Sequence, residues 1–447
     1  MTEVSTDRRF TQEEGQKLYF DVLNDDVIQE IISNIHPRKL FPFMRTCRNV
    51  YAAALPRLLE EFRLIHNSWD VDRLLQYCNF MLADSPGRIL HLRRLSIWDA
   101  SALSQSGAAT YSLSQVVRRA TRLESISVQM PDSFFETYPV LAGALRVPPG
   151  VQYLELFSDG CKTYELLSKM ASRPREINLS NLSGYNHGLL LRPFIDSLQV
   201  LRISGHSSFY TGSLVWPWVH TLEVGCCVDL SELSHAFPAV RYLDLTVSAE
   251  YSWREEDSIA WENMDRIHVG SFHATLFPCS ARHLDLYEWE SYPNIVSYVQ
   301  RCSPIVLSCV VSDIAECLTQ IAQAAPHVQY LILRGGFRRL RHRLFERAVV
   351  EHTLLLGALS LVGLSLIGTR EIYISAPSHV LDSTYQGLAR QVAGNVPSLE
   401  YIIIGGCHYR GTFHVKSRAG GILPEVEQLP ESMAHVVERQ LLDIGRV

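Results

Sequence analysis

The sequence predicts an α/β solenoid, in which a curved parallel sheet with outer helices follows a small segment of three helices. Two observations support this fold class: a short apolar pattern recurs along most of the chain, and a run near the N-terminus has apolar residues at helical spacing. With 47% hydrophobic and 20% charged residues, the 447-residue chain resembles folded proteins in composition. Its formal net charge of −6 gives no overall cationic field, so neither nucleic acid nor a membrane surface is an expected partner.

The recurring pattern is apolar-x-x-apolar-x-apolar. Its central apolar residues follow one another at steps of 17–31 residues apart from two longer intervals, as in Leu201, Leu222 and Leu243. Most steps match repeat architectures with a period of roughly 20–29 residues. The copies occupy residues 92–97, 123–128, 151–156, 174–179, 198–203, 219–224, 240–245, 264–269, 281–286, 328–333, 369–374 and 399–404.

Two intervals between copies are longer. A degraded strand at Pro304–Leu307 is expected to divide the first interval, and a helical insertion at about 337–367 is expected to fill the second. The apolar run at 353–368 is shorter than the ~20 residues that cross a bilayer, so a buried helix is the preferred interpretation and a membrane span the alternative.

The spacing within each copy favours a strand. The last two apolar positions are two residues apart, so both side chains point to one face, which only stacked copies could bury. The connectors 165–170, 231–236, 295–302 and 314–324 have apolar residues at helical spacing. A doubly wound sheet is the alternative, although no glycine-rich phosphate loop follows any strand. The series resembles the irregular leucine-rich repeats found behind F-box domains, over roughly residues 90–410.

The segment from Leu23 to Leu64 precedes these repeats. Asn24, Asp25 or Asp26 can cap a helix whose apolar residues follow helical spacing, and Pro37 and Pro42 can each open another helix. Three short helices are too small to bury all of this apolar surface by themselves. Some of it is therefore expected to meet another surface.

The order and spacing of this segment resemble the F-box, through Leu23, Asp26, Val27, Ile31, Ile32, Ile35, Pro37, Arg38, Leu40, Thr46, Cys47 and Arg48. Asn24 stands where the family usually has proline. The resemblance implies docking on the Skp-type adaptor of cullin-RING ubiquitin ligases. The residues that it places at or beneath the docking surface are Leu23, Val27, Ile28, Ile31, Pro37, Leu40 and Cys47. The alternative is a helical cap that protects the open end of the solenoid.

Motifs for catalysis and for metal binding are absent from the sequence. It contains no phosphate-binding loop, no G-x-S-x-G, no H-E-x-x-H and no C-x-x-C pair. The sequence therefore predicts a protein that is not an enzyme, with no cofactor and no metal.

A protein partner is expected on the concave face of the solenoid, which the residues between the inward apolar pairs would form. Tyrosines and carboxylates recur there and suit a basic or tyrosine-contacting peptide, although β-propensity alone also explains the tyrosines. The candidates are Tyr153, Glu155, Glu223, Tyr242, Asp244, Asp285, Tyr287 and Tyr330.

A second candidate surface is the basic run that contains Arg338, Arg341 and Arg343. Guanidinium groups at this spacing could bind an anion such as a phosphorylated motif. A solvated helix face and a nuclear address are the alternatives.

Together these observations predict four regions: a flexible N-terminus over 1–19, an F-box-like helical domain over 20–65, a solenoid over 66–410 and a C-terminal cap over 411–447. Residues 1–20 lack a secretory apolar run, so an intracellular protein, cytoplasmic or nuclear, is expected. The predicted function is that of a substrate-recognition subunit of a ubiquitin ligase. A leucine-rich-repeat scaffold without ligase association is the alternative.

Overall fold

A computed structural model describes residues 23–36, 39–65, 70–84, 87–98, 101–157, 160–180, 187–245, 251–252, 261–270, 279–287, 289, 295–311, 314–335, 349–368, 378–405, 410–417 and 424–446. The chain divides into two units. The first comprises Met1–Leu156 with Lys169–Arg173, and the second comprises Phe157–Ser168 with Pro174–Val447. The predicted N-terminal region 1–19 lies outside the described residues.

The first unit begins with three helices, α1 (Asp25–Asn34), α2 (Leu40–Met44) and α3 (Arg48–Leu59). The side chain of Asn24 accepts a hydrogen bond from the backbone N–H of Asp26, which caps α1 as the sequence predicts. The three helices share a core formed by Ile28, Ile32, Leu40, Met44, Val50 and Ala54. This core holds the helical segment together.

The helical part of the region predicted over 20–65 ends with α3 at Leu59. Glu61–Leu64 is not helical but forms strand β1, which pairs in parallel with β2 (Arg94–Ile97). Phe62 and Leu64 are buried and the residues beside them are not, which is the period-two pattern of a strand. The boundary predicted at residue 65 therefore lies after a strand that belongs to the sheet.

The rest of the first unit alternates helices with parallel strands. Strand β2 pairs in parallel with β3 (Ser125–Gln129), and the N–H of Tyr153 at the start of β4 (Tyr153–Phe157) donates to the carbonyl of Glu124. The helices of this part are α4 (Val71–Ala83), α5 (Ser101–Ser104), α6 (Gly107–Arg119), α7 (Asp132–Thr137) and α8 (Pro139–Leu145).

The second unit is also α/β, with a mostly parallel sheet. Strands β5 to β8 pair in chain order, β8 pairs with β10, and β10 to β15 continue in parallel. The short β9 pairs with the end of β7, and β16 and β17 add antiparallel strands beyond β15. These strands are β5 (Glu176–Ser180), β6 (Val200–Ser208), β7 (Thr221–Asp229), β8 (Tyr242–Leu245), β9 (Tyr251–Ser252), β10 (Asn263–Val269), β11 (Ser280–Leu286), β12 (Val306–Val311), β13 (Tyr330–Gly335), β14 (Gly363–Gly368), β15 (Tyr401–Gly405), β16 (Arg410–Ser417) and β17 (Glu425–Gln428).

Helices connect many of these strands. They are α9 (Cys161–Ser168), α10 (His187–Leu191), α11 (Leu230–Ala236), α12 (Ile295–Cys302), α13 (Ile314–Ala324), α14 (Ser378–Asn395) and α15 (Glu431–Leu442). The predicted connectors at 231–236, 295–302 and 314–324 are all confirmed as helices. The α/β fold class predicted from the sequence is thus confirmed.

In the copies that the structure describes, the apolar pair forms the core, as predicted. Leu222 and Val224 of β7 are fully buried, and so are Leu243 and Leu245 of β8 in the same register. The degraded strand expected after Pro304 is confirmed as β12. The strands of these copies therefore form a continuous apolar layer within each unit.

The prediction of a helical insertion at about 337–367 is wrong in its second half. The run at 353–368 is not one buried helix but contains a 3₁₀ turn at Leu354–Ala358 and then strand β14. Leu364 and Leu366 of β14 are buried, and the strand pairs on both sides with β13 and β15. The strand predicted at 369–374 lies outside the described residues, and β14 occupies the place beside β15. Among the described residues, no helix is both long and apolar enough to cross a membrane.

Helix α15 packs against strands β12 to β15 on the face opposite the apolar pairs. Val437 and Leu441 of the helix contact a buried cluster that includes Val306, Tyr330, Ile332 and Ile403. Gly363 allows the close approach, because a Cβ atom there would lie 2.8 Å from Leu441 Cδ2. At the C-terminal end of the helix, Arg282 donates to the backbone carbonyls of Leu442, its last residue, and Ile444.

We expect Leu441→Ala to destabilise the second unit by about 2–4 kcal/mol, because it removes a buried side chain and leaves a cavity against Tyr330. Chemical denaturation followed by tryptophan fluorescence would measure the free energy of unfolding. Val436→Ala on the same helix is the control, because Val436 is 47% exposed and its loss should change stability by less than about 0.5 kcal/mol. Equal effects of the two substitutions would contradict the packing of α15 on the sheet.

Candidate functional site

The three N-terminal helices leave apolar side chains uncovered. Val27, Phe41 and Tyr51 are 45%, 58% and 43% exposed, although each belongs to a helix that also contributes to the buried core. Val27 and Ile31 are four residues apart, so they lie on one stripe of α1. This stripe is adjacent to the one that carries the buried Ile28 and Ile32.

The predicted adaptor-binding residues divide between this surface and the core. Val27 is exposed, whereas Leu23, Ile31 and Cys47 are partly buried. Ile28 and Leu40 are fully buried and can support such a surface only from beneath. Pro37 lies outside the described residues.

Two of the predicted partner-binding residues lie on β4. Tyr153 and Glu155 are both partly exposed. Glu155 accepts a hydrogen bond of 2.6 Å from the hydroxyl of Ser127, which in turn accepts one of 2.8 Å from the indole N–H of Trp98. The carboxylate is therefore oriented by Ser127 of β3, which is itself held by Trp98 directly after β2.

The other candidates lie on the second unit, where the strand register places their carboxylates in one row. Glu223, Asp244 and Asp285 occupy equivalent positions of β7, β8 and β11, as the sequence predicts. The row also contains the cationic or titratable side chains Arg202 and His268. The carboxylates predicted on this face therefore lie in a row that contains both acidic and basic side chains.

Each of these carboxylates already has a partner. Glu223 accepts from Arg202 Nε at 2.8 Å, and Arg202 also pairs with Glu176. Asp244 Oδ2 lies 3.1 Å from His268 Nδ1. Because the partners are internal, the row offers less free negative charge to a basic peptide than the sequence alone suggests.

Asp285 is the most enclosed member of the row. It is 2% exposed and bridges two arginines, with Arg266 at 2.9 Å and Arg334 at 3.3 Å. Burial alone would raise the pKa of Asp285, but the charges of Arg334, His268 and Arg266 outweigh it and the pKa is lowered overall. Asp285 therefore stays ionised and acts on a partner only through the arginines it holds.

Two histidines on this face have pKa values that are shifted in opposite directions. The hydrogen bond to Asp244 raises the pKa of His268 above its ordinary value, against the opposing effect of burial. Burial lowers the pKa of His283 to about 3, with a further contribution from the charge of Arg266. His283 is therefore neutral at physiological pH, and its Nε2 is buried without a hydrogen-bond partner in the described part of the chain.

The predicted tyrosines differ in accessibility. Tyr287 is 44% exposed, and Tyr242 is partly covered by the guanidinium of Arg266, which lies 5.3 Å from the centre of its ring. Tyr330 is fully buried beneath α15. A partner could contact Tyr330 only if this helix were absent. Strand β13 is therefore closed at Tyr330, whereas the side chain of Arg334 near the end of the same strand remains 36% exposed.

The strand pattern also places three arginines on this face, although the predicted binding residues include only carboxylates and tyrosines. Arg202, Arg266 and Arg334 occupy outward positions of their strands and complete the face. The signal available in the sequence was the repeat register itself, which places Arg202 next to Glu223. The cover formed by Val437 and Leu441 was signalled only by their four-residue spacing.

The proposed anion-binding residues Arg338, Arg341 and Arg343 lie outside the described residues. Within the described ranges, no group of histidine, cysteine or acidic side chains is arranged to hold a metal ion. The cysteines for which the structure gives a side chain are free thiols, and most are buried. No known family model and no curated protein matches the chain in sequence comparison.

We expect Asp244→Asn to lower the pKa of His268, because it removes the hydrogen-bonded charge that stabilises the protonated ring. An NMR titration of the His268 ring protons would measure the shift. Because the folded-state pKa is raised, the pair stabilises the fold fully below the unfolded value of about 6.5 and loses this contribution as the pH rises through the folded value.

Asp265→Asn is the control for this titration. Asp265 is paired with Arg282 on the neighbouring strand, and its carboxylate is not among the groups that shift His268. An unchanged His268 pKa in Asp244→Asn, or an equal shift in both variants, would show that the hydrogen bond to Asp244 does not determine the titration.

Proposed function

We propose that the chain is the substrate-recognition subunit of a cullin-RING ubiquitin ligase. In this proposal the N-terminal helices are an F-box that docks on a Skp-type adaptor. The strands that follow form a leucine-rich-repeat solenoid that binds a protein substrate. The observation that carries the proposal is the uncovered apolar stripe on α1, in a segment whose residue pattern resembles the F-box.

The geometry of α1 supports docking. The helix buries Ile28 and Ile32 in its own small core, and it keeps Val27 in solvent with Ile31 partly covered. A helix that served only to complete this core would not need a second apolar stripe, whose exposure to water is unfavourable. Contact with another apolar surface would remove both side chains from water.

Asn24 has the backbone conformation that proline would have at this position of the family pattern. Asn24 has φ −65° and ψ 146°, which is the φ value that a proline ring imposes. The chain therefore enters α1 in the conformation that the usual proline would give. The asparagine adds a side-chain cap that proline could not supply.

The repeated unit supports a solenoid. Copies of one strand pattern recur at short intervals, each burying its apolar pair, and successive strands pair in parallel with matching residues in register. A doubly wound sheet would place successive strands on both sides of a starting strand. In the second unit, the order from β5 to β8 instead follows the chain.

The mechanism that follows requires no bond-making residue in this chain. Holding a substrate near the charged ubiquitin carrier raises the effective concentration of the reacting groups, so the rate gain comes from proximity. The chain contributes two binding surfaces, one for the adaptor and one for the substrate. Specificity then depends on the outward residues of the solenoid strands.

We expect Val27→Asp to reduce affinity for the adaptor by at least about tenfold, because it would bury an unpaired carboxylate in the docking interface. Ile31→Asp should have the same effect. Co-expression of the full chain with a Skp-type adaptor, followed by affinity purification and titration of the purified proteins, would measure the loss.

Val140→Asp is the matched control. Val140 is on α8 and is 39% exposed, so the same change is made at a similarly accessible helical valine outside the F-box-like segment. Adaptor binding should be retained in this variant. If the unmodified chain failed to bind the adaptor, the scaffold without ligase association would replace the receptor.

A further inference from the structure

The accessible face of the second unit carries two triads of opposite charge. In the acidic triad, Arg202 lies between two carboxylates, Glu176 and Glu223. In the basic triad, Asp285 lies between two guanidinium groups, Arg266 and Arg334. Counting formal charges, the acidic triad has a net charge of −1 and the basic triad a net charge of +1.

Both triads retain bonding capacity on their outer members. The side chains of Glu176 and Glu223 are 33% and 30% exposed, and a carboxylate can accept several hydrogen bonds. The side chains of Arg266 and Arg334 are 33% and 36% exposed. Each guanidinium has five N–H donors on three nitrogens, and Asp285 contacts only one nitrogen of each. The central residue of each triad fixes the two outer groups, which lowers the cost of ordering them around a ligand.

The fold sets the distance between the triads. Arg202 is on β6 and Asp285 on β11, and the strands between them are β7, β8 and β10. Four steps of about 4.8 Å each give roughly 19 Å across the sheet. About six residues of extended chain span this distance, and residues six apart in an extended chain point to the same side.

The boundary of this face also follows from the structure. Helix α15 covers Val306, Tyr330, Ile332 and Ile403, so β12 to β15 are closed at these positions. Between the triads lie Asp244 and His268, which pair with each other. A ligand that bridges the triads would therefore pass over Asp244 and His268, whose hydrogen-bonding groups already bind each other.

We propose that this face binds an extended protein segment in which a basic residue stands about six positions from an acidic residue. The basic side chain contacts Glu176 and Glu223, and the acidic side chain contacts Arg266 and Arg334. This inference deepens the proposed function, because it describes the substrate of the receptor by its charge pattern. A uniformly basic or uniformly acidic segment would satisfy one triad and be repelled by the other.

The test begins with the full chain, immobilised and exposed to a display library of random twelve-residue peptides. We expect the enriched peptides to contain lysine or arginine five to seven positions from aspartate or glutamate. A synthetic peptide of the enriched pattern is then titrated by fluorescence anisotropy. Glu223→Lys and Arg334→Glu should each weaken its binding by about tenfold, because each reverses the charge of one triad.

The double variant Glu223→Lys with Arg334→Glu inverts both triads. It should bind a peptide in which the basic and acidic residues are exchanged, and it should bind the original peptide least well. A purely stabilising set of ion pairs would not produce this reversal. Thermal unfolding of each variant by circular dichroism shows whether the fold is retained.

Glu427→Lys is the matched control. Its carboxylate is paired with Lys416 on the neighbouring strand β16 and is 51% exposed, away from both triads. The proposal is overturned if no peptide is enriched, if the enriched peptides lack the charge spacing, or if the triad variants bind like Glu427→Lys. Adaptor binding by the same triad variants, which should be unchanged, separates this outcome from failure of the receptor proposal.

Discussion

The fold depends on the burial of two apolar side chains, two residues apart, in successive parallel strands. A single strand cannot shield such a pair, so each copy requires its neighbour and the sheet grows by addition. The same alternation directs the intervening side chains to the opposite face, which is buried beneath α15 and is partly exposed on the strands before β12. Core packing and the ion pairs of the outer face are thus assigned to different residues of the same strand, as Leu243 and Asp244 illustrate.

Much of this architecture was predictable because it is periodic. The strand copies and three of the helical connectors follow from local spacing. For the cap of α1, the sequence offers Asn24, Asp25 and Asp26, of which the structure selects Asn24. Strand β14 was missed because its continuous apolar run, interspersed with glycine and serine, is compatible with either a buried strand or a helix. Strand β1 was missed because only four residues carry its alternating pattern, directly after a helix.

The face was less predictable than the core. The ion pairs of Asp285 join residues on three strands, and they depend on the register that stacking creates. Sequence spacing alone gives the row on which a carboxylate lies but not which guanidinium reaches it. The four-residue spacing of Val437 and Leu441 indicates an apolar stripe on α15, but it does not indicate that the stripe covers Tyr330 on a distant strand.

The position of α15 in the chain also affects how the protein is made. This helix follows, in sequence, every strand that it covers, so the side chains of Tyr330, Ile332 and Ile403 emerge from the ribosome well before their cover does. Until α15 has been synthesised, the nascent chain exposes these apolar side chains on strands that can already pair with one another. Such an intermediate is prone to association with other chains, so chaperones would be most needed during this interval of translation.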